Sequence, residues 1–179
     1  MNRTANIHPD LPAVTRLGLA TRGNNALAPG DVHHAIDRGI NYLNWCGQPD
    51  GLSRAISELG AKRDQVVIAV QLQARDGAGM EREIDRALHE LDTDRLDVVT
   101  LYYIESQREW DGLIAPGGAL TALEAAKQTG AVRNGTLPAL RTLPENWPAS
   151  AAAWPISTSP TAPPTTRCCF WPAESAGCR

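Results

Sequence analysis

The sequence predicts an α/β fold built on a parallel sheet, because strand and helix patterns alternate through residues 15–136. Residues 66–70 read Val-Val-Ile-Ala-Val and are apolar at every position. Such a run is typical of a parallel strand that is buried on both faces. Gly39, Gly60 and Gly130 each follow an apolar helical stripe, where glycine commonly ends a helix. Alternation of this kind implies right-handed crossovers between parallel strands.

The first two strand–helix units are short. The first strand is predicted over residues 16–20, and Asp31 is the expected N-cap of a helix that ends at Gly39. The second strand is predicted over residues 40–45. The helix that follows carries an apolar face at helical spacing, formed by Leu52, Ile56 and Leu59.

Two further units follow the apolar strand at residues 66–70. A helix is predicted over residues 80–91, a fourth strand over 96–101 and a helix over 118–129. Residues 131–137 are a candidate fifth strand, so the count is four to five βα units. A doubly wound sheet and part of a (β/α)8 barrel both fit this order.

The barrel is favoured by the residues that follow the first strand. They read Ala-Thr-Arg-Gly-Asn-Asn and contain no glycine fingerprint of a dinucleotide-binding sheet. A complete barrel needs roughly 250 residues. The chain has 179. We therefore expect a partial (β/α)8 barrel.

The composition changes near residue 137. Eight of the 13 prolines fall at or after Pro138, in a segment rich in Ala, Ser and Thr without periodicity. We therefore divide the chain into an N-terminal segment (1–14), a half barrel (15–136) and an irregular or disordered tail (137–179). A change of reading frame near residues 134–150 is one hypothesis for the origin of this tail.

Composition also limits the function classes. The net charge is −3 and the pI about 5.8, which gives no electrostatic basis for binding nucleic acid or an anionic membrane. No apolar run approaches the roughly 18 residues of a membrane span. The first residues contain no apolar signal segment, so we expect a cytoplasmic protein. Cys168 and Cys169 are adjacent with no histidine after them, so no zinc spacing is present and no metal is expected.

Five segments, in the right order and spacing, resemble aldo-keto reductases. Residues 35–42 read Ala-Ile-Asp-Arg-Gly-Ile-Asn-Tyr, similar to the family's "A-x-x-x-G-I-N-x". Residues 91–97 read Leu-Asp-Thr-Asp-Arg-Leu-Asp and resemble "L-x-[TL]-D-Y-[IV]-D". Weaker similarities cover residues 16–21, 53–56 and 118–133. The resemblance implies the N-terminal half of a (β/α)8 barrel that reduces carbonyl compounds with NADPH.

The resemblance also implies four catalytic positions at the barrel mouth. The family uses a Tyr to protonate the carbonyl oxygen, an Asp and a Lys to lower the pKa of that Tyr, and a His to orient the substrate. Aligned one at a time, the Asp falls on Asn44, the Tyr on Pro49, the Lys on Gln71 and the His on Tyr102. All four differ from the family pattern. The family's NADP site lies largely in its second half, which cannot be matched here.

The substituted positions still lie where barrel enzymes build their sites, at the carboxyl ends of strands. One interpretation is a polar pocket with aromatic walls. The other is that these residues begin loops and face solvent without forming a site. Glu105 is the only carboxylate in the set and the weak candidate for acid–base chemistry. The pocket candidates are Asn44, Trp45, Gln71, Gln73, Tyr102, Tyr103 and Glu105.

Three functional hypotheses remain open from the sequence. The first is a truncated, divergent aldo-keto reductase-like pseudoenzyme, an oxidoreductase by ancestry without activity. The second is a half-barrel module that binds a small ligand or a partner without redox chemistry. The third is an active reductase that uses Glu105 or Tyr102 as the acid and binds NADP at an unrecognised site. A half barrel also has open strand edges. Three outcomes follow: the tail covers the open sheet, a homodimer closes the barrel, or the protein folds poorly.

Overall fold

The computed structural model describes residues 3–21 and 27–136, with side chains through residue 134. Two short antiparallel strands come first and are followed by one parallel sheet in sequence order. Each strand of this sheet is hydrogen-bonded to the next strand along the chain. This topology confirms the predicted partial (β/α)8 barrel. The strands are β1 (Thr4–Ala5), β2 (Val14–Thr15), β3 (Leu19–Ala20), β4 (Tyr42–Trp45), β5 (Val67–Leu72), β6 (Leu96–Leu101) and β7 (Val132–Thr136).

Helices separate the parallel strands, as predicted. They are α1 (Pro29–Asp37), α2 (Gly51–Ser57), α3 (Gly77–Glu90), α4 (Gln107–Ile114) and α5 (Ala119–Thr129), with a 3-10 turn at Gly60–Gln65. One prediction is wrong: the N-cap of α1 is Ala28, and Asp31 lies within the first turn. The helix begins earlier because Pro29 occupies its first position, where the fixed φ of proline favours a helix start. Helix α4 was not predicted.

The outer face of the sheet packs against the helices and forms the main core. Alternate residues of each strand point to this side, among them Leu43 and Trp45 on β4 and Ile68 and Val70 on β5. They contact the apolar stripes of the helices, including Leu52, Ile56, Met80, Ile84, Leu120 and Leu123. This layer accounts for most of the buried side chains described in the chain.

The inner face of the sheet is covered at its N-terminal half by the segment that contains β1 and β2. Leu11 and Val14 are buried against Val67, Ala69 and Val98, which point inward from β5 and β6. Asn41 anchors the segment, because its Oδ1 accepts from Thr15 N at 2.8 Å and its Nδ2 donates to Ala13 O at 2.9 Å. The apolar part of the inner face is therefore shielded within a single chain.

We expect Val14→Ala to lower the free energy of unfolding by about 2 kcal/mol, since it removes methyl groups from this buried contact. The variant should also bind more of a hydrophobic dye than the wild type does. Leu17→Ala is the matched control, because Leu17 is 70% exposed and its truncation should cost little. Equal effects of the two substitutions in urea unfolding would show that Val14 does not seal the inner face.

The outer strands β3 and β7 each pair with one neighbour within the residues described. A homodimer that closes the half barrel, one of the three outcomes named from the sequence, stays a prediction, and so does the proposed division of the chain. The predicted irregular tail, residues 137–179, lies outside the described residues. Among the helices that are described, none is long and apolar enough to cross a membrane.

Candidate functional site

The candidate site lies at the carboxyl ends of β3 to β7, here called the mouth, and on the adjoining inner face. Asn44 on β4 is in register with Ala69, and Gln71 on β5 is in register with Thr100. Because Ala69 belongs to the inner cluster and side chains alternate along a strand, Asn44, Gln71 and Thr100 all point inward. Both carboxamides are half-buried. The inner face is thus polar where the N-terminal segment ends.

Tyr102 and Tyr103 lie directly beyond β6. The Tyr102 N–H donates to Leu72 O at 2.7 Å, so parallel pairing with β5 continues past the strand end. The two rings make a T-shaped contact with centroids 4.6 Å apart. The predicted pocket residues Gln71, Tyr102 and Tyr103 are therefore brought together at one edge of the sheet.

Two of the predicted positions lie elsewhere. Trp45 is 1% exposed and points outward into the core between sheet and helices, with its indole N–H donating to Gln48 O at 2.8 Å. Strand alternation places it opposite Asn44, so the prediction that it lines the pocket is corrected. Pro49 is exposed in the loop between β4 and α2 and offers no titratable group.

A salt-bridged arginine holds the loops that follow β5 and β6. Arg75 donates to Gln73 O at 2.8 Å and to both Tyr102 O and Tyr103 O at 2.6 Å. Its Nε also lies 3.5 Å from a Glu109 carboxylate oxygen. The guanidinium is thus occupied by backbone carbonyl groups and one carboxylate, and it fixes the positions of the two tyrosines.

The acidic side chains at the mouth accept hydrogen bonds from backbone N–H groups. Asp50 accepts from Ser53 N and caps α2, and Asp76 accepts from Gly79 N and caps α3. Glu83 accepts from Gln73 N at 2.7 Å and Ala74 N at 3.1 Å. Glu109 accepts from Glu105 N at 2.9 Å. These four carboxylates stabilise helix starts and loops.

Glu105, the weak acid–base candidate, is exposed at the entrance of the loop before α4. Its backbone N–H donates to the Glu109 carboxylate, which also accepts from the Ser106 hydroxyl at 3.5 Å. The Glu105 N–H donor and the nearby Arg75 guanidinium hold the pKa of the Glu109 carboxyl below its usual range. The loop that carries Glu105 is therefore stabilised by the ionised form of Glu109.

This arrangement predicts a pH-dependent loop. The pKa of Glu109 in the folded protein is lowered from its ordinary value of 4.5. The stabilisation of the loop by the Glu109 carboxylate is therefore complete above about pH 4.5 and is lost as the pH falls through the lower pKa of the folded state. We expect the protection of the Glu105 amide against hydrogen exchange to disappear in that acidic range. Glu109→Gln should weaken protection at neutral pH, whereas Asp111→Asn on the same helix should not. Unchanged protection in Glu109→Gln would contradict the assignment.

Several site residues were not identified from the sequence. Arg75 and Thr100 carry no motif, and their roles depend on strand register. Asn134 on β7 lies in register with Val98 and so on the inner face, although it belonged only to a candidate strand. Glu109 could have been found, since Ser106-Gln-Arg-Glu109 matches the capping-box pattern at a helix start.

The carboxamides at the mouth, Asn44 and Gln71, can bind polar groups. Carboxamides donate and accept hydrogen bonds but do not titrate. Within residues 3–21 and 27–136, no cluster of three His, Cys, Asp or Glu side chains could hold a metal ion.

Comparisons with known proteins agree with this architecture. No protein-family model matches the chain, and neither does any curated protein. Solved structures do match: an aldo-keto reductase from Klebsiella pneumoniae in complex with NADPH superposes with a TM-score of 0.59 at 22% identity, covering 73% of this chain and 47% of that one. One from Bacillus halodurans, in its holo form, gives 0.60 at 18% identity, covering 75% and 50%. One from Brucella melitensis gives 0.59 at 19% identity, covering 75% and 51%.

The chain therefore spans about half the length of these solved structures. At this level of identity the similarity concerns the fold. The described residues form a parallel sheet with alternating helices, open at β3 and β7 and arranged as in those enzymes. The chain has an aldo-keto reductase-like fold, in the form of a partial (β/α)8 barrel.

Proposed function

We propose that this chain is a divergent aldo-keto reductase-like protein that does not reduce carbonyl compounds and instead binds a small ligand at its mouth. One observation carries the proposal. The positions that would supply acid chemistry hold Asn44, Pro49, Gln71 and Tyr102, while four nearby carboxylates are bound to backbone N–H groups. A cytoplasmic location is part of the same proposal.

The lack of proton-transfer chemistry follows from residue types. A catalytic phenol needs a neighbouring cation to work near neutral pH, because its ordinary pKa is about 10. Gln71 stands where that cation would be, and an amide carries no charge. Among the described residues, Arg75 is a cation close to the mouth, but its hydrogen bonds go to backbone carbonyls and to Glu109.

NADP is the cofactor that the resemblance implies. The described part of the mouth fits it poorly, because phosphate groups need cationic or clustered N–H donors. Arg75 donates to three carbonyl groups, and the N–H groups of Gln73 and Ala74 are bound to Glu83. We therefore assign no reaction step to a nicotinamide group. Ligand binding is favoured by the free carboxamides on the inner face.

Titration of the purified full chain with NADPH, followed by the fluorescence of the cofactor, tests the proposal. We expect no saturable change up to millimolar cofactor. A thermal-shift experiment with the same samples should show no cofactor-dependent stabilisation. Saturable quenching with a rise in melting temperature would instead support the divergent reductase and would require a search for its carbonyl substrate.

A further inference from the structure

Three carboxamides lie across the inner face of the sheet on three different strands. Asn44 is in register with Ala69, Ala69 with Val98, and Val98 with Asn134. Residues in register across a parallel sheet share a face, so Asn44 and Asn134 mark the two ends of one row. Gln71 lies between them, two residues further toward the mouth on β5. Here this set is called the amide row.

Within the described residues, the amide row takes no part in the hydrogen bonds of the fold. The side chains of Asn44 and Gln71 make no hydrogen bond within the described residues, and the Asn134 Nδ2 is buried there without an acceptor. Three other carboxamides of the described residues are bound within the chain: Asn41 to Ala13 O at 2.9 Å, Gln107 to Asp111 at 2.8 Å and Gln128 to Glu124 at 3.1 Å. An unpaired buried polar group costs about 1–3 kcal/mol. This cost falls on the Asn134 Nδ2, which a ligand would have to uncover. The half-buried amides of Asn44 and Gln71 keep hydrogen-bonding capacity for a partner from outside the fold.

Resting on the proposed function, we infer that the amide row is a binding site for an uncharged, hydroxyl-rich molecule of the carbohydrate type. Each carboxamide offers two donors and an acceptor, which matches hydroxyl groups that both donate and accept. The row carries no charge, and Thr100 adds a hydroxyl beside Gln71.

The spacing of the row sets the size of the ligand. Three strand spacings of about 4.8 Å separate β4 from β7, which gives about 14 Å at the backbone. This span suits two linked sugar rings better than one. Trehalose is a suitable probe, since it is neutral and non-reducing and so offers no carbonyl group for reduction.

The test follows the side-chain NH2 signals of the full chain in ¹H–¹⁵N spectra during titration with trehalose. We expect the signals of Asn44, Gln71 and Asn134 to shift saturably with one dissociation constant. The signals of Asn41, Gln107 and Gln128 should stay in place, because those amides are already bound within the chain. Trehalose 6-phosphate should bind no more tightly than trehalose, since the row lacks a cation.

Variants make the test specific. Gln71→Leu should weaken trehalose binding at least tenfold, and Gln128→Leu on α5 is the matched control that should leave it unchanged. Backbone spectra verify folding, and Thr100→Val provides a second variant if Gln71→Leu is unfolded. Shifts that do not saturate, or that are equal at the control amides, would overturn the inference. If neither trehalose nor NADPH binds, only this inference is wrong. Saturable NADPH binding would instead overturn the proposed function.

Discussion

Asp97→Ala is expected to lower the free energy of unfolding by about 3–5 kcal/mol, the largest effect predicted for this chain. Asp97 is fully buried at the N-terminal end of β6. Its carboxylate accepts from Arg63 Nη1 at 2.7 Å and from the Ile68 N–H at 2.9 Å. Arg133 and Arg95 lie 3.6 Å and 3.8 Å from its other oxygen. Removal of the carboxylate would leave the partly buried Arg63 guanidinium without a counter-charge and the Ile68 N–H without its acceptor.

Asp94→Ala is the control for this prediction. Asp94 pairs with Arg95 at 3.4 Å, but its side chain is 82% exposed, so its loss should change stability by no more than about 0.5 kcal/mol. Urea unfolding followed by circular dichroism measures both variants. A loss below about 1 kcal/mol in Asp97→Ala would mean that the three arginines are satisfied without it.

Gly51→Ala is the second substitution with a large expected effect, about 3 kcal/mol of destabilisation. A Cβ at position 51 would lie 1.7 Å from Leu27 O, a backbone atom of the segment that leads into α1. Either α2 or that segment would have to move, and the contact between α1 and α2 would be disturbed. The cause is close approach of the backbone rather than an unusual φ angle.

Gly112→Ala is the matched control, because a Cβ there meets nothing within 4 Å. Gly112 lies inside α4, where alanine should stabilise the helix by about 0.5–1 kcal/mol. Opposite signs of the two Gly→Ala changes in thermal unfolding would confirm the prediction. Two changes of similar size and sign would contradict it.

The order of strands and helices could be predicted because each element has a local pattern. The apolar run at residues 66–70 and the Gly130 end of α5 are properties of short segments, and β5 and α5 lie at these places. Helix α4 was not predicted because its apolar face contains few residues, mainly Trp110 and Leu113. The capping-box pattern at residues 106–109 was the signal available for it.

The covering of the inner face could not be predicted from local patterns. The contacts of Leu11 and Val14 with Val67 and Val98 join residues far apart in sequence, and β1 and β2 are only two residues long. No local pattern therefore indicates that the N-terminal segment covers the inner face. Within the described residues, the N-terminal segment shields the apolar half of the inner face, and the half toward the mouth is polar.

The candidate site was predicted in part. Asn44, Gln71, Tyr102 and Tyr103 lie at strand ends because parallel strands all finish on one side of the sheet. Trp45 differs from Asn44 by one position, and this single step moves it to the opposite face. Which polar groups stay free depends on hydrogen bonds between separate loops. The sequence therefore did not reveal that Arg75 is bound to backbone carbonyls, or that the Asn134 Nδ2 has no acceptor among the described residues.

The most direct test of the central claim is consumption of NADPH by the full chain with a reactive aldehyde, followed by absorbance across neutral pH. The claim is that the mouth contains no proton-transfer machinery, so the rate should equal that of buffer, and Tyr102→Phe and Glu105→Gln should not change it. A saturable rate above the background that falls in either variant, with folding unchanged, would contradict the claim and identify the acid of an active reductase.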